Sequence, residues 1–191
     1  MRRSGFSIPF PVALLAALLA AVGAPAAARS PTVAAGELVP ARFDALALLP
    51  GGEGAAVALA VEDSGDREGE RRVAIFIGPV EAAAIARARD GQRPMRPLTH
   101  ELLVDVVLAT GLSPRRLVID ELRGSVYLAT IEFAGADGQS LWIDARPSDG
   151  LVLALRLALP IHLGPSVLAS APDWDTVEPP VAPLPQSPVT L

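Results

Sequence analysis

The chain has 191 residues and a formal net charge of −5 at pH 7, and all 16 of its basic residues are arginines. An acidic protein is not attracted to nucleic acid by its overall field, so contact with a phosphate backbone would need a local cluster of arginines. Cysteine is absent, which excludes a disulfide framework, a thiolate metal site and a thiol nucleophile.

The first 28 residues have the pattern of a secretory signal peptide. The basic pair Arg2 and Arg3 precedes an apolar run at 12–22, and residues 26–28 are three alanines that suit a cleavage site. The run is short for a membrane span, so we expect export to the periplasm or the exterior, with no stable span after cleavage. An uncleaved signal that anchors the protein in the membrane is the alternative. Cleavage would leave a net charge of about −7.

The rest of the chain divides into a linker, a domain and a tail. We expect a linker at 29–41, a single domain at 42–170 that is large enough to bury a core, and a proline-rich disordered tail at 171–191.

Hydrophobic periodicity and turn residues predict an α+β domain with a mixed, largely antiparallel sheet and about three helices. The predicted strands span 42–49, 55–61, 72–77, 117–122, 125–133, 140–144 and 161–163. The predicted helices span 80–90, 100–110 and 147–159, and Thr99 is the expected N-cap of the second.

Three blocks of sequence resemble the bifunctional nuclease domain family, once known only as a domain of unknown function (DUF151). They are IGPVEAAAI at 77–85, RPLTHELL at 96–103 and DARPSD at 144–149, and the match continues with ALR at 154–156 and PI at 160–161. The resemblance implies an α+β fold and a nuclease activity on DNA and RNA. Glu101 and Gly150 depart from the family, which usually has Asp and Ala there, and a glycine in a first helical turn is expected to loosen it.

The third block carries residue types that suit phosphate chemistry. Carboxylates bind Mg²⁺ or Mn²⁺ through oxygen, and such an ion can activate water and neutralise charge on a phosphoryl group. We therefore predict Asp144 and Asp149 as catalytic residues that face one cleft and bind the ion, with Glu101 as a further ligand. The alternatives are a turn or capping role for Asp144 and a charge favoured by the helix start for Asp149.

Arginines near these carboxylates could hold the phosphate. Arg146 can bind phosphate through two N–H groups, and Arg93 and Arg96 lie in a proline-stiffened loop. The alternatives are a salt bridge from Arg146 to Asp144, Asp149 or Glu81, and a solvated loop.

His100 and Glu81 complete the predicted catalytic set. A histidine near a cleft can act as a general base or bind a metal, but His100 could instead only pack at the start of its helix. Glu81 is either a third carboxylate of the site or a charge favoured by the helix dipole.

Two functional hypotheses follow from these residues. The first is an exported, metal-assisted nuclease acting on DNA and RNA. The second is a non-catalytic binding or oligomerisation module of the same fold, and it would be favoured if the three blocks lay far apart. Homo-oligomer formation is consistent with either hypothesis, because exposed strand edges need covering.

Overall fold

Seven strands form one sheet in the computed structural model, which describes residues 29–62, 71–135 and 138–177. The predicted signal peptide and most of the predicted tail lie outside these ranges. The strands are β1 Val39–Leu48, β2 Ala55–Val61, β3 Arg72–Ile77, β4 Ser113–Arg123, β5 Val126–Ala134, β6 Ser140–Ala145 and β7 Ile161–Leu163. They lie in the order β3-β2-β1-β7-β4-β5-β6, and only β4 and β7 are parallel.

Four α-helices accompany the sheet within the same ranges, and with it they confirm the predicted single α+β domain. They are α1 Pro79–Arg89, α2 Thr99–Ala109, α3 Pro147–Leu157 and α4 Pro165–Ser170. The short helix α4 was not predicted from the sequence. Short 3-10 helices lie at Ala35–Glu37, Pro50–Gly52 and Trp174–Thr176. No helix in the described ranges combines the length and hydrophobicity needed to cross a bilayer.

Prolines fix the start of three helices, and a hydrogen bond to a glutamate side chain fixes the start of α2. Proline opens α1, α3 and α4, a position where its missing N–H costs nothing. The N-cap of α2 is Leu98 rather than the predicted Thr99, and its backbone N–H donates to Glu101 Oε2 at 3.2 Å. The helix starts are therefore set locally, which matters because the candidate site is built from them.

Alternating residues of the strands make one face of the sheet the main core. Leu59, Leu117 and Ile119 are fully buried there, and helix residues such as Ile85 and Leu151 pack onto the same cluster. Helix α3 contacts α1, α2, β4 and β5, whereas α2 packs chiefly on α3. Helix α3 is thus the central helix of the layer.

Gly150 lets α3 approach β4 closely. A Cβ at this buried position would lie 2.5 Å from Leu117 Cδ1, which is too near for a packed core. The sequence suggests only that Gly150 weakens the first turn of α3, whereas the structure shows that glycine allows this turn to pack directly on β4.

The free edge of β3 is partly covered by the chain itself. The backbone N–H of Ala74 donates to the Pro172 carbonyl at 2.9 Å, and the Ala74 carbonyl accepts from the Tyr127 hydroxyl at 3.0 Å. Asp173 forms a bridge with Val73. The start of the predicted tail therefore lies against β3 and protects an edge that would otherwise invite another strand.

Gly164 is the position where an added methyl group should do most damage. A Cβ there would overlap the backbone carbonyl of Asp120, and the overlap cannot be relieved by rotating a side chain. Gly164→Ala should lower the free energy of unfolding by about 2–3 kcal/mol in urea denaturation. Gly36→Ala is the control, because a Cβ at Gly36 has nothing within 4 Å. Equal losses in the two variants would contradict this packing.

Candidate active site

The first turns of three helices meet at the carboxylate of Asp149. Arg146, the N-cap of α3, donates from Nε and Nη2 to the two oxygens of Asp149 at 2.8 and 3.1 Å. Its Nη1 donates to Glu81 Oε1 in α1 at 3.0 Å. His100 of α2 places Nε2 at 3.1 Å from Asp149 Oδ1. Each of the three sequence blocks therefore contributes a side chain to one network.

The charge on Asp149 decides which nitrogen of His100 carries the proton. Burial alone would raise the pKa of Asp149, but the hydrogen bonds from Arg146 and His100 outweigh it and hold the pKa below its usual value. An ionised carboxylate can only accept hydrogen bonds. A neutral His100 therefore donates from Nε2 to Asp149, and its Nδ1 then has the lone pair.

A cavity of about 690 Å³ adjoins this pair. Its apolar wall includes Leu103 and Val107 of α2. Its polar lining includes His100 and both predicted aspartates, Asp144 and Asp149.

Asp144 also lines this cavity, but its carboxylate binds outside the Asp149 network. It alternates along β6 with Ile143 and Ala145, which pack against the core, so its side chain points away from α3. Its carboxylate accepts from Arg29 Nε at 2.9 Å. The two aspartates of the DARPSD block therefore have different partners, and the carboxylate of Asp144 is not joined to the Asp149 network.

A buried carboxylate that the sequence did not single out lies beside Asp144. Asp120 is 0% exposed and accepts from Arg29 Nη1 and Nη2 at 3.0 and 2.6 Å. The backbone N–H and hydroxyl of Thr32 donate to it at 2.9 and 3.0 Å. Burial raises the pKa of Asp120, but the bonds from Arg29 and Thr32 bring it below the usual value. An acid directly after three apolar residues of a strand was the available signal.

The remaining predicted residues lie elsewhere. Glu101 pairs with Arg156 Nη2 at 2.5 Å and caps its own helix. Arg93 and Arg96 are exposed in the loop before α2, and neither makes a hydrogen bond or ion pair with any described residue. Arg93 lines a separate groove of about 300 Å³ with Arg156.

The three carboxylates predicted as metal ligands do not form one ligand set. Asp144, Asp149 and Glu101 each accept from a different arginine. Across the described ranges, no group of three or more Asp, Glu or His side chains is placed to hold a metal ion. In this arrangement the three carboxylates are not placed to bind one Mg²⁺ or Mn²⁺ ion together, and metal binding stays a prediction.

Comparison with known proteins assigns a family to the part of the chain that contains the three blocks. The bifunctional nuclease domain matches residues 65–173. The chain belongs to this family. Two uncharacterized proteins, one from each of two strains of Mycobacterium tuberculosis, are 39% identical to it over 106 residues. The match covers 56% of this chain and 62% of each relative, so the chain spans less than two thirds of their length.

Replacing Arg29 should destabilise the protein, because the buried charge of Asp120 then has no cationic partner. Arg29→Met should lower the free energy of unfolding by about 3 kcal/mol at pH 7, because the carboxylate loses its cationic partner. The ion pair lowers the pKa of Asp120, so it stabilises the wild type above about pH 4 and is lost below it. Without Arg29, burial raises this pKa, and protonation then removes the buried charge.

The difference in the free energy of unfolding between the wild type and Arg29→Met should therefore become smaller as the pH falls from 7 to about 4. Arg93→Met is the matched control and should change stability by less than about 0.5 kcal/mol. A deficit that is the same at every pH, or no larger than that of the control, would contradict the role of Arg29.

Proposed function

We propose that this protein is an exported nuclease that hydrolyses phosphodiester bonds of DNA and RNA at the His100–Asp149 pair. Membership of the bifunctional nuclease domain family supports the reaction class. The observation that carries the assignment is the 3.1 Å hydrogen bond between His100 Nε2 and Asp149 Oδ1, beside the exposed guanidinium of Arg146. A carboxylate that orients a histidine next to a cation is an arrangement suited to general base catalysis.

In the proposed reaction, Nδ1 of His100 takes a proton from water as the water oxygen attacks phosphorus. The bond from phosphorus to the leaving nucleoside oxygen breaks on the opposite side, and that oxygen takes a proton from solvent water, while Nδ1 later releases its proton to the solvent. Asp149 keeps the imidazole in the required tautomer and stabilises its charged form during the transfer. Glu81 acts through Arg146, whose guanidinium it helps to hold.

Arg146 is the proposed phosphate contact. Its side chain is 65% exposed, and three of its N–H groups bind Asp149 and Glu81. A guanidinium has five such groups, so two remain for a phosphate oxygen. The positive ends of three helix dipoles add to the attraction for an anion. Arg93 and Arg96 offer further positive charge for a longer substrate.

Export is proposed on the pattern of the first 28 residues, with an uncleaved membrane anchor as the alternative. Cleavage after residue 28 would leave Arg29, with its pairs to Asp120 and Asp144, as the first residue. We also propose that Mg²⁺ or Mn²⁺ assists the reaction. This part of the proposal is tested separately from the role of His100, with a chelator.

One observation favours the second candidate function, a non-catalytic module. Glu81 and Asp149 are both paired with Arg146, and His100 is hydrogen-bonded to Asp149, so the four side chains form one network. Such a network can simply hold three helix starts together.

Cleavage of single-stranded DNA and RNA oligonucleotides separates the two functions. His100→Gln should reduce the cleavage rate about 100-fold or more, because it removes the proposed base. His162→Gln is the matched control, since His162 is the other histidine of the chain and lies in β7. It should cleave within about threefold of the wild type.

Equal rates for His100→Gln and His162→Gln would rule out His100 as the base. An inactive wild type, with Asp149→Ala lowering the melting temperature, would favour the module. Repeating the assay with EDTA and then with added Mn²⁺ tests the metal prediction independently, because the histidine variants are compared under each condition.

A further inference from the structure

Helix α2 carries His100 but has little buried surface to hold it in place. Val107 is its only buried residue, and Leu102 and Val106 are 56% and 50% exposed. The helix packs chiefly on α3. Contacts between apolar side chains are not directional, so they do not by themselves fix how α2 is shifted or rotated along α3.

A largely buried ion pair joins α2 to α3. Arg156 of α3 donates from Nη2 to Oε1 of Glu101 in α2 at 2.5 Å, and the two side chains are only 10% and 16% exposed. Burial raises the pKa of Glu101, but hydrogen bonds from the backbone at the helix start and from Arg156 outweigh it and bring the pKa below its usual value. Glu101 is therefore charged at neutral pH.

The two carboxylate oxygens of Glu101 bind two different helices. Oε2 accepts from the backbone N–H of Leu98 at the start of α2 at 3.2 Å, while Oε1 accepts from Arg156 of α3. His100 lies between Leu98 and Glu101 in the same turn. The side chain that caps this turn therefore also ties it to α3.

We infer that Arg156 is a positioning residue for His100. Through Glu101 it fixes the first turn of α2 against α3, and Asp149 lies at the other end of α3, in its first turn. The bond of 3.1 Å between His100 Nε2 and Asp149 Oδ1 spans the same two helices. Arg156 thereby sets the geometry of this bond without touching either residue of the pair.

The cost of burying the ion pair favours an orienting role over a stabilising one. Removing two charges from water costs about as much free energy as their attraction returns, whereas the pair gives a directional contact. Arg156 Nε is also buried and has no hydrogen-bond partner in the described part of the chain, which adds to the cost. We therefore expect the pair to contribute more to the position of α2 than to stability.

The effect of Arg156 on cleavage rests on the proposed nuclease function, whereas its effect on the His100–Asp149 hydrogen bond does not. The two effects are measured separately, so that failure of one proposal can be told from failure of the other.

The double variant Arg156→Met with Glu101→Gln removes the ion pair and leaves no buried charge without a partner. Glutamine can still accept from the N–H of Leu98, so the cap of α2 is kept. The matched control is Arg116→Met with Glu132→Gln, which removes a pair of 2.6 Å between β4 and β5 whose side chains are 24% and 15% exposed. Circular dichroism and melting temperature establish that both double variants are folded.

Proton NMR of each variant measures how fast the Nε2 proton of His100 exchanges with solvent. In the variant without the Arg156–Glu101 pair, exchange should be about tenfold faster or more than in the control, because the His100–Asp149 bond opens more often. A role in stability alone would change the melting temperature and leave this ratio near one. An exchange rate equal to that of the control would overturn the inference.

Cleavage of single-stranded oligonucleotides gives the second readout. The variant without the Arg156–Glu101 pair should have a kcat about tenfold to 100-fold lower than the control, with KM within about threefold, because the base is misplaced while substrate contacts remain. Faster proton exchange with an unchanged kcat would support the positioning role and contradict His100 as the base. If the wild type cleaves no substrate, the nuclease proposal fails and the exchange rates still decide the role of Arg156.

Discussion

The carboxylate of Asp149 is the point at which the starts of α1, α2 and α3 are joined. It binds Arg146 and His100 directly, and through Arg146 it is linked to Glu81. Because these bonds hold the carboxylate ionised, a neutral His100 donates to it from Nε2. The same interaction thus connects the three sequence blocks, orients the only histidine near the cavity and places a guanidinium beside it.

The sheet positions α3, and α3 in turn positions Asp149. Gly150 allows the first turn of α3 to lie directly on Leu117 of β4, so the carboxylate next to it is held close to the core. Gly164 allows the backbone after β7 to pass close to Asp120, which lies in β4 as Leu117 does. Asp120 faces away from α3 and binds Arg29, which ties the start of the described chain to the centre of the sheet. Two glycines and one buried ion pair therefore support a site to which they contribute no side chain.

Regular periodicity made the strands and three main helices predictable, and the order of the blocks made the family predictable. That Asp144 and Asp149 bind different arginines was harder to predict, because the apolar Trp142 interrupts the alternation of polar and apolar residues in β6. The sequence pattern therefore does not show on which face of the sheet Asp144 lies. The Arg29–Asp120 pair joins residues 91 positions apart, and a segment that looks like a linker gives no local signal of such a contact. The role of Gly150 depends on the nearness of Leu117, which only tertiary structure determines.

The protonation state of His100 tests the central claim most directly. Nitrogen-15 NMR of histidine-labelled protein at neutral pH resolves the two ring nitrogens of each histidine, and His162→Gln assigns the signals of His100. We predict that Nε2 of His100 carries a proton that exchanges slowly with solvent, and that Asp149→Ala makes this proton exchange faster. A neutral His100 protonated at Nδ1, or an exchange rate that Asp149→Ala leaves unchanged, would contradict the hydrogen bond to Asp149.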